Sequence, residues 1–274
     1  MRRRMLVWLI VVAGLVTGCT LNAGTEFAAE YEKYLVTRDD VADYDVRGYN
    51  NLPGQGNADT RVDLRDGLTD DQIATAISEI ARYRTDQKVN HHNLSVFVTT
   101  PNGSGAPARV SVFVRTGDEP VQDTDPAALR ERVQLVRAYA VTDPGLIEMW
   151  ASAGDLDART SGDPYASADA LVAYAQTRPP TVRRLSARSG HVGSLGVVSL
   201  DADGSVQALR PMRLILAALP PDVTPRRWRA TSQEPVDAPQ FELDLPAGTD
   251  PAVLAAVEQR AAALGVPLRA IIAR

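Results

Sequence analysis

Histidine and cysteine are the side chains with the widest chemical repertoire, and this sequence contains few of them. Its histidines are His91, His92 and His191, and its single cysteine is Cys19. Adjacent histidines point to opposite faces of an extended strand, and a zinc site needs convergent nitrogen, sulfur or oxygen ligands. We therefore expect no metal and no redox cofactor, and we expect the histidines to be solvated or to serve as caps. If a metal is bound, the three histidines with a carboxylate are the first residues to consider.

Two short segments contain residue types that can bind ions. Asp201-Ala202-Asp203-Gly204 has the spacing of part of a calcium loop, but Ser199 would occupy the first position and Arg210 the twelfth, where the loop needs Glu. We predict a tight turn there. Gly190–Gly196 is rich in glycine, yet it has neither the dinucleotide-binding pattern nor the P-loop pattern. Because it lies between two predicted strands and opens no helix, we predict a hairpin turn.

Serine and the paired carboxylates give no catalytic constellation. Ser194 lacks the Gly-x-Ser-x-Gly context of a hydrolase nucleophile, and no spacing marks a triad of Ser, His and Asp. Asp70-Asp71 falls in the first turn of a predicted helix, where acids stabilise the helix dipole, and Asp39-Asp40 falls in a polar stretch. We therefore predict no catalytic residue and a protein that is not an enzyme.

The densest group of basic residues is Arg226-Arg227-Trp228-Arg229. An aromatic ring among arginines can contact lipid headgroups or an anionic polymer through charge and cation–π interactions. The same pattern fits a strand with Trp228 pointing inward and its arginines in solvent. Arg226, Arg227, Trp228 and Arg229 are the candidate contacts with an anion or a partner.

The amino terminus has a different character from the rest of the chain. Arg2–Arg4 precede an apolar run, Met5–Val16, which leads into Thr17-Gly18-Cys19. A basic segment, an apolar segment and small residues in this order are typical of a secretory signal peptide. The run holds twelve residues, fewer than the roughly 20 that cross a bilayer as a helix. A permanent transmembrane helix is therefore the weaker interpretation.

Leu15-Val16-Thr17-Gly18-Cys19 resembles the lipobox of bacterial lipoprotein signal peptides. The resemblance implies cleavage between Gly18 and Cys19, transfer of a diacylglyceryl group to the Cys19 thiol, and a signal peptide over residues 1–18. Because Cys19 is the only cysteine, no internal disulfide can form, and lipidation gives the thiol a use. Two acyl chains hold a protein stably at a membrane. We expect a protein anchored by lipid to the cell membrane, on its extracytoplasmic side.

Composition and net charge limit the kinds of molecule that we expect the protein to bind. The chain is 45% hydrophobic and 23% charged, which is typical of a folded protein with an ordinary core. Its net charge is −5 and becomes −8 when Arg2–Arg4 leave with the signal peptide. A negative charge argues against a general nucleic-acid-binding protein, so we expect no nucleic-acid partner.

Hydrophobic periodicity divides the exported part into alternating elements. Residues 19–59 are expected to form a tether and a hairpin, with Phe27, Tyr31 and Tyr34 at helical spacing, which could dock on the body. Over 60–151 we predict the order β-α-β-β-α-β, and over 155–274 the same order with a closing β-α-β segment. This order favours an α+β fold of two tandem ferredoxin-like modules.

These features leave three classes of function open. The favoured one is a non-enzymatic lipoprotein that binds or scaffolds an envelope protein, polymer or lipid. The alternatives are an envelope enzyme such as a wall-polymer hydrolase, and a ligand-binding component that feeds a transporter. A pocket with convergent polar groups would favour the alternatives, and a flat sheet face would favour the first class.

Overall fold

The computed structural model describes residues 22–52, 55–87, 89–117, 124–177, 182–189, 195–233 and 238–273. The predicted signal peptide with Gly18, the predicted lipidation residue Cys19, and the segment 190–194 with His191 and Ser194 lie outside the described residues. What the sequence predicts for them stays a prediction.

The described part contains six helices and eleven strands. The helices are α1 (Ala23–Leu35), α2 (Asp70–Arg82), α3 (Pro126–Ala140), α4 (Pro164–Gln176), α5 (Pro211–Leu216) and α6 (Pro251–Ala263), with a 3-10 turn at Val206–Leu209 before α5. The strands are β1 (Val41–Leu52), β2 (Gln55–Leu64), β3 (His91–Pro101), β4 (Pro107–Gly117), β5 (Leu146–Ala151), β6 (Asp155–Thr160), β7 (Arg184–Ser189), β8 (Leu195–Asp201), β9 (Arg227–Ser232), β10 (Gln240–Leu245) and β11 (Leu268–Ile272).

The strands form a mixed sheet in which their order equals their order along the chain. Antiparallel neighbours follow each other directly, as β1 with β2, β5 with β6, β7 with β8 and β9 with β10 do. Parallel neighbours are separated by a helix, as β2 and β3, β4 and β5, β6 and β7, and β10 and β11 are. The chain is therefore a mixed α and β protein, as the periodicity predicts.

This pairing differs from the tandem ferredoxin-like arrangement expected from the element order. In a split β-α-β unit another strand lies between the two parallel strands, whereas here β2 pairs directly with β3 and β6 directly with β7. The expected boundary between residues 151 and 155 is a turn that joins β5 to β6 as antiparallel neighbours. Both arrangements have the same order of elements, and a strand's hydrophobic period does not specify which strand it pairs with.

The chain divides into two compact units. Unit 1 is Met1–Val98 with Phe113–Glu131, and unit 2 is Thr99–Val112 with Arg132–Arg274. The base of the β3–β4 hairpin thus belongs to unit 1 and its tip to unit 2.

In unit 1, helix α1 packs on the β1–β2 hairpin, although part of this segment is expected to be a tether. Phe27, Tyr31 and Leu35 on one face of α1 are buried. The helix approaches the hairpin so closely that a Cβ on Gly48 would lie 1.8 Å from the carbonyl oxygen of Gly24. Aromatic residues at helical spacing therefore dock this segment, because their burial outweighs the entropy of leaving it free.

Local signals explain where most helices begin and end. Thr69 and Gln72 form a reciprocal capping box at the start of α2. Asp163 and Asp250 accept hydrogen bonds from the first turns of α4 and α6, and each is followed by proline. Gly265 at φ +68° follows the end of α6. Of the helices in the described part, none is both long and apolar enough to cross a membrane.

Candidate functional site

The strands of unit 2 have two chemically different faces. In β7 and β9 buried residues alternate with exposed or half-buried ones, so that Leu185, Ala187, Trp228 and Ala230 point into the core. The helices pack on this apolar face, where Tyr165 of α4 stacks on Trp228 with ring centroids 5.7 Å apart. The residues between them point to the opposite face, which is polar and open to solvent.

A groove of about 400 Å³ runs across the open face from β6 to β9. We call it the arginine groove. Its polar side chains are Asp155, Asp157, Arg184, Ser186, Arg188, Ser199, Arg227, Arg229, Thr231 and Gln233, and Leu156, Leu185, Leu195 and Val197 also line it. Short side chains at Ser186, Ser199 and Thr231 form the floor, and longer side chains such as Arg184, Arg188 and Arg229 stand beside them.

Three of the four arginines in the groove are held by carboxylates. Arg184 donates to Asp155 at 2.7 Å, and Arg227 donates to Asp244 on β10 at 3.0 Å. Arg188 donates through Nε to Asp157 at 2.9 Å, with a second donation from its Nη2. Arg229 makes no ion pair with any described residue. The Arg229 guanidinium therefore has hydrogen-bond donors that no ion pair with a described residue uses.

The floor is a row of four polar side chains that the strand register places side by side. Asp157 lies opposite Ser186, Ser186 opposite Ser199, and Ser199 opposite Thr231. The two central hydroxyls, of Ser186 and Ser199, are 3.0 Å apart and share one hydrogen bond, which leaves one of the two protons for another acceptor. At the two ends, Oδ1 of Asp157 and Oγ1 of Thr231 are buried and have no hydrogen-bond partner in the described part. Buried polar atoms without partners are uncommon in folded proteins, and each one calls for an explanation.

Asp157 is the titratable group most affected by this environment. Its side chain is 18% exposed. Burial raises the pKa of the Asp157 carboxyl above its usual value, and Arg188 and a hydrogen bond from Ser186 oppose that shift. The charged form of Asp157 therefore depends on these two neighbours.

The basic cluster read from the sequence is divided between the two faces. Arg227 and Arg229 line the groove, and Arg226 is exposed just before β9. Trp228 is 8% exposed and points into the core, where Gly196 leaves room for its ring because a Cβ there would lie 2.4 Å from the indole. The cluster is thus a strand with Trp228 pointing inward. Of its four residues, only Arg227 and Arg229 line the groove and remain candidates for contact with an anion.

Asp155, Asp157, Arg184 and Arg188 are groove residues that the sequence analysis does not single out. A signal is present, because polar residues recur at every second position in Asp155-Leu156-Asp157 and in Arg184–Arg188, where Ser186 lies between the two arginines. Such spacing puts like charges on one face of a strand. The spacing does not predict the strand order β6-β7-β8-β9, which brings these residues together on one face of the sheet.

The histidines occupy different environments in unit 1. His91 is exposed, and His92 is 2% exposed between two threonines. Its Nδ1 lies 2.9 Å from Oγ1 of Thr116, and its Nε2 lies 2.9 Å from Oγ1 of Thr60. Both ring nitrogens are therefore satisfied, and Tyr31 packs edge-on against the imidazole at 4.8 Å between centroids. In the described residues, no group of three His, Cys, Asp or Glu side chains could hold a metal ion.

The other acidic candidates have structural roles. Asp40 pairs with Arg38, Asp71 pairs with Arg130 at 3.1 Å, and Asp70 and Asp71 lie in the first turn of α2. The amide of Gly204 donates to the carbonyl of Asp201 at 2.8 Å, which closes a tight turn after β8. This is the turn predicted for the segment with calcium-like spacing.

The chain was compared with protein-family models, with curated proteins and with solved structures, and nothing in any of the three matches it.

Proposed function

We propose that this protein is a lipid-anchored binding protein on the extracytoplasmic side of the cell membrane, and that its ligand lies in the arginine groove of unit 2. The observation that carries the proposal is the open polar face, on which Arg229 makes no ion pair with any described residue and the hydroxyls of Ser186, Ser199 and Thr231 form one row. An open, polar sheet face favours a binding protein, whereas an enclosed pocket with convergent polar groups would favour an enzyme or a carrier.

The amino-terminal sequence supports the location. The basic segment, the apolar run and the lipobox-like residues through Cys19 are those of a lipoprotein signal peptide. In unit 1, α1 begins at Ala23 and packs on the β1–β2 hairpin. An anchor on Cys19 would therefore be only four residues from a folded body, which would hold unit 1 close to the bilayer.

Binding, and not catalysis, is the activity that these side chains support. Neither described histidine lines the groove, and its serines contact each other. General acid–base or nucleophilic catalysis needs a base poised near neutral pH beside the reacting group. Arginine, carboxylate and hydroxyl groups on paired strands instead make a rigid recognition surface.

Mass spectrometry of the membrane fraction tests the anchor. We expect a mature chain that begins at Cys19 and carries the added mass of a diacylglyceryl group. The Cys19→Ala variant should keep its signal peptide or leave the membrane fraction. An unmodified Cys19 in mature protein that is free of membrane would overturn this part of the proposal.

Photo-crosslinking in the native envelope tests the groove. A photo-reactive residue at Gln233, on the groove, should give a discrete adduct in the full-length anchored protein, whereas the same residue at Ala255, exposed on α6, should give none. Equal labelling from both positions would contradict a binding site on the open face. Turnover of an envelope substrate that one side-chain change abolishes would establish the enzyme alternative.

A further inference from the structure

Strand β11 is an outer strand of the sheet, and among the described strands only β10 pairs with it. The amide of Ala273 donates to the carbonyl of Leu245 on β10 at 2.9 Å. Hydrogen-bonding groups point alternately to the two sides of a strand. The N–H and C=O groups of Leu268, Ala270 and Ile272 therefore point away from β10, to the side where a further strand would lie.

The apolar layer of unit 2 is not closed at this edge. On β10, Phe241 is 2% exposed and Leu243 is fully buried. Their register partners on β11, Leu268 and Ala270, lie on the same side of the sheet but are only half-buried. The apolar side chains of β11 therefore lack a neighbour on the outer side.

Helix α6, which packs on β11, is also incompletely covered. It has 13 residues, of which only Val257 and Ala261 are buried, whereas α4, of the same length, buries six. Its exposed positions are mostly alanine: Ala252, Ala255, Ala256, Ala262 and Ala263. A helix with so few polar residues is usually buried on most of its sides. The outer strand and the helix on it thus both lack a cover.

The other outer strand, β1, has features that prevent pairing with a further strand. Its Asp43, Asp45 and Arg47 are exposed, and register shifts interrupt its pairing with β2 near both ends. Charged side chains and bulges are common means by which edge strands avoid pairing. Strand β11 has regular register, its one charged residue is Arg269, and its Ile271 is 45% exposed. Of the two outer strands, β11 is the one suited to pair with another chain.

We infer that β11 pairs antiparallel with β11 of a second copy of this chain, about a two-fold axis at Ala270. This register sets Ala270 opposite the partner's Ala270, and Leu268 opposite the partner's Ile272. All three outward-pointing residues then form hydrogen bonds through both N–H and C=O. On the open face, Arg269 lies opposite the partner's Ile271. An axis at Arg269 would instead set two arginines opposite each other, which is unfavourable.

A second copy supplies both of the covers that this edge lacks. An extended peptide would add a strand to β11 but would leave α6 uncovered. A second copy brings its own β11 and its own α6 across the axis, so that strand meets strand and the helices approach each other on the same side of the sheet. The half-buried apolar row of β11 then meets an identical row. Ala255 lies on the side of α6 away from the sheet, two positions from the buried Val257, and is outside this contact.

Sedimentation equilibrium of the full chain, purified in a density-matched detergent, tests the dimer. We expect the wild type to approach the mass of two chains as its concentration rises. Ala270→Pro should shift it to a single chain, because proline removes the amide at the axis. That amide has no partner within one copy, and proline is tolerated at an edge position whose N–H points outward, so the variant should fold. Circular dichroism checks the fold.

Two substitutions at Ile271 separate the dimer from the fold. Ile271→Glu sets a carboxylate opposite the partner's Arg269, whereas Ile271→Lys sets a second cation there. The dissociation constant of the dimer should be about tenfold lower for the Glu variant than for the Lys variant. Within one copy, Ile271 lies opposite Asp244, so the stability of the diluted monomer should change in the other direction, with the Lys variant more stable. A residue that only supports the fold would show the second effect without the first.

Disulfide trapping in the native membrane tests the register. In cells that express both Arg269→Cys and Ile271→Cys chains, an oxidant should link the two variants, because the axis at Ala270 sets these positions opposite each other. Either variant expressed alone should give less linked dimer. The wild type, whose single cysteine is Cys19, gives the background.

The mass of a single chain at every concentration would overturn the inference. So would a dimer that Ala270→Pro leaves intact, or equal dissociation constants for the two Ile271 variants. If Ala270→Pro does not fold, the Ile271 variants and the disulfide decide. A link from Ile271→Cys to a different envelope protein, without linked dimer, would assign the edge to another partner and also overturn it. The result at Gln233 in the groove does not bear on this edge, so the proposed function and the dimer stand or fall separately.

Discussion

Unit 1 contains a polar cluster around His92, and unit 2 contains the arginine groove. The two are built from similar residues but differ in whether their polar atoms have hydrogen-bond partners. Each sets hydroxyl side chains in a row across the strands together with one titratable side chain. In the His92 cluster the polar atoms satisfy each other, and Phe27 and Tyr31 cover the ring. In the groove the row of floor residues ends on both sides in an atom without a described partner, and Arg229, two residues from Thr231, makes no ion pair with any described residue.

The difference shows how to separate a structural polar cluster from a binding site. A buried group that has all its hydrogen bonds stabilises one conformation and offers nothing to a ligand. A buried group that lacks them lowers the stability of the protein until a ligand or another residue supplies the missing hydrogen bond. Histidine attracts attention in a sequence, yet here the histidine with satisfied nitrogens belongs to the core, and the less conspicuous aspartate and threonine line the open groove.

The largest expected effect is on the aromatic cover of the His92 cluster. Tyr31 is fully buried, packs on His92, and donates from its hydroxyl to the carbonyl of Ile80 at 2.5 Å. Tyr31→Ala should lower the free energy of unfolding by about 4 kcal/mol, since it leaves a cavity and an unpaired carbonyl. Chemical denaturation followed by circular dichroism measures this loss. Tyr49→Ala, at a side chain that is 40% exposed, is the matched control and should cost less than about 1 kcal/mol.

The pH dependence of stability gives the next largest effect. Burial, together with the nearby Arg84, lowers the pKa of His92 to about 4 from 6.5. The stabilisation is complete above pH 6.5 and is lost as the pH falls toward 4, because the unfolded chain takes up a proton that the folded protein refuses. The loss should reach roughly 3 kcal/mol.

Denaturation across this pH range isolates the His92 contribution from that of the carboxylates. His92→Gln should be less stable at neutral pH but should show a shallower loss on acidification than the wild type. His91→Gln, at the exposed neighbour, should follow the wild-type curve. A His92→Gln curve parallel to the wild type would show that His92 is not the titrating group.

The same contrast explains how much of the molecule can be predicted from its sequence. The capping box at Thr69, the proline that follows Asp250 and the isoleucines of α2 are local signals, and they locate the elements well. The groove is different, because Arg188 and Arg229 lie 41 positions apart in the sequence and meet only through the register of β7, β8 and β9. Periodicity tells which face a side chain takes, but hydrogen-bond pairing decides its neighbours.

Within the groove, Arg188 should affect stability more than its neighbour Arg184. Arg188 pairs with the largely buried Asp157, whereas Arg184 pairs with Asp155, which is 44% exposed. Arg188→Ala should cost about 2 kcal/mol because it leaves a buried carboxylate without its cation. Arg184→Ala should cost less than about 1 kcal/mol, as surface pairs do. The cost of Arg188→Ala should shrink in acid, where Asp157 takes up a proton. Equal costs for the two variants would show that burial of Asp157 does not matter.

The smallest expected change in stability belongs to the residue with the largest proposed role in binding. Arg229 is exposed and makes no ion pair with any described residue. Arg229→Ala should therefore change the free energy of unfolding by less than about 0.5 kcal/mol. Arg227→Ala is the control on the same strand, and it should cost slightly more because it breaks the pair with Asp244. If Arg229→Ala instead destabilises the protein as much as Arg188→Ala does, Arg229 is part of the structural network, and the groove would resemble the His92 cluster in having its polar groups satisfied. A stable Arg229→Ala variant that loses the envelope crosslink from Gln233 would show that the protein keeps this arginine for its partner and not for its fold.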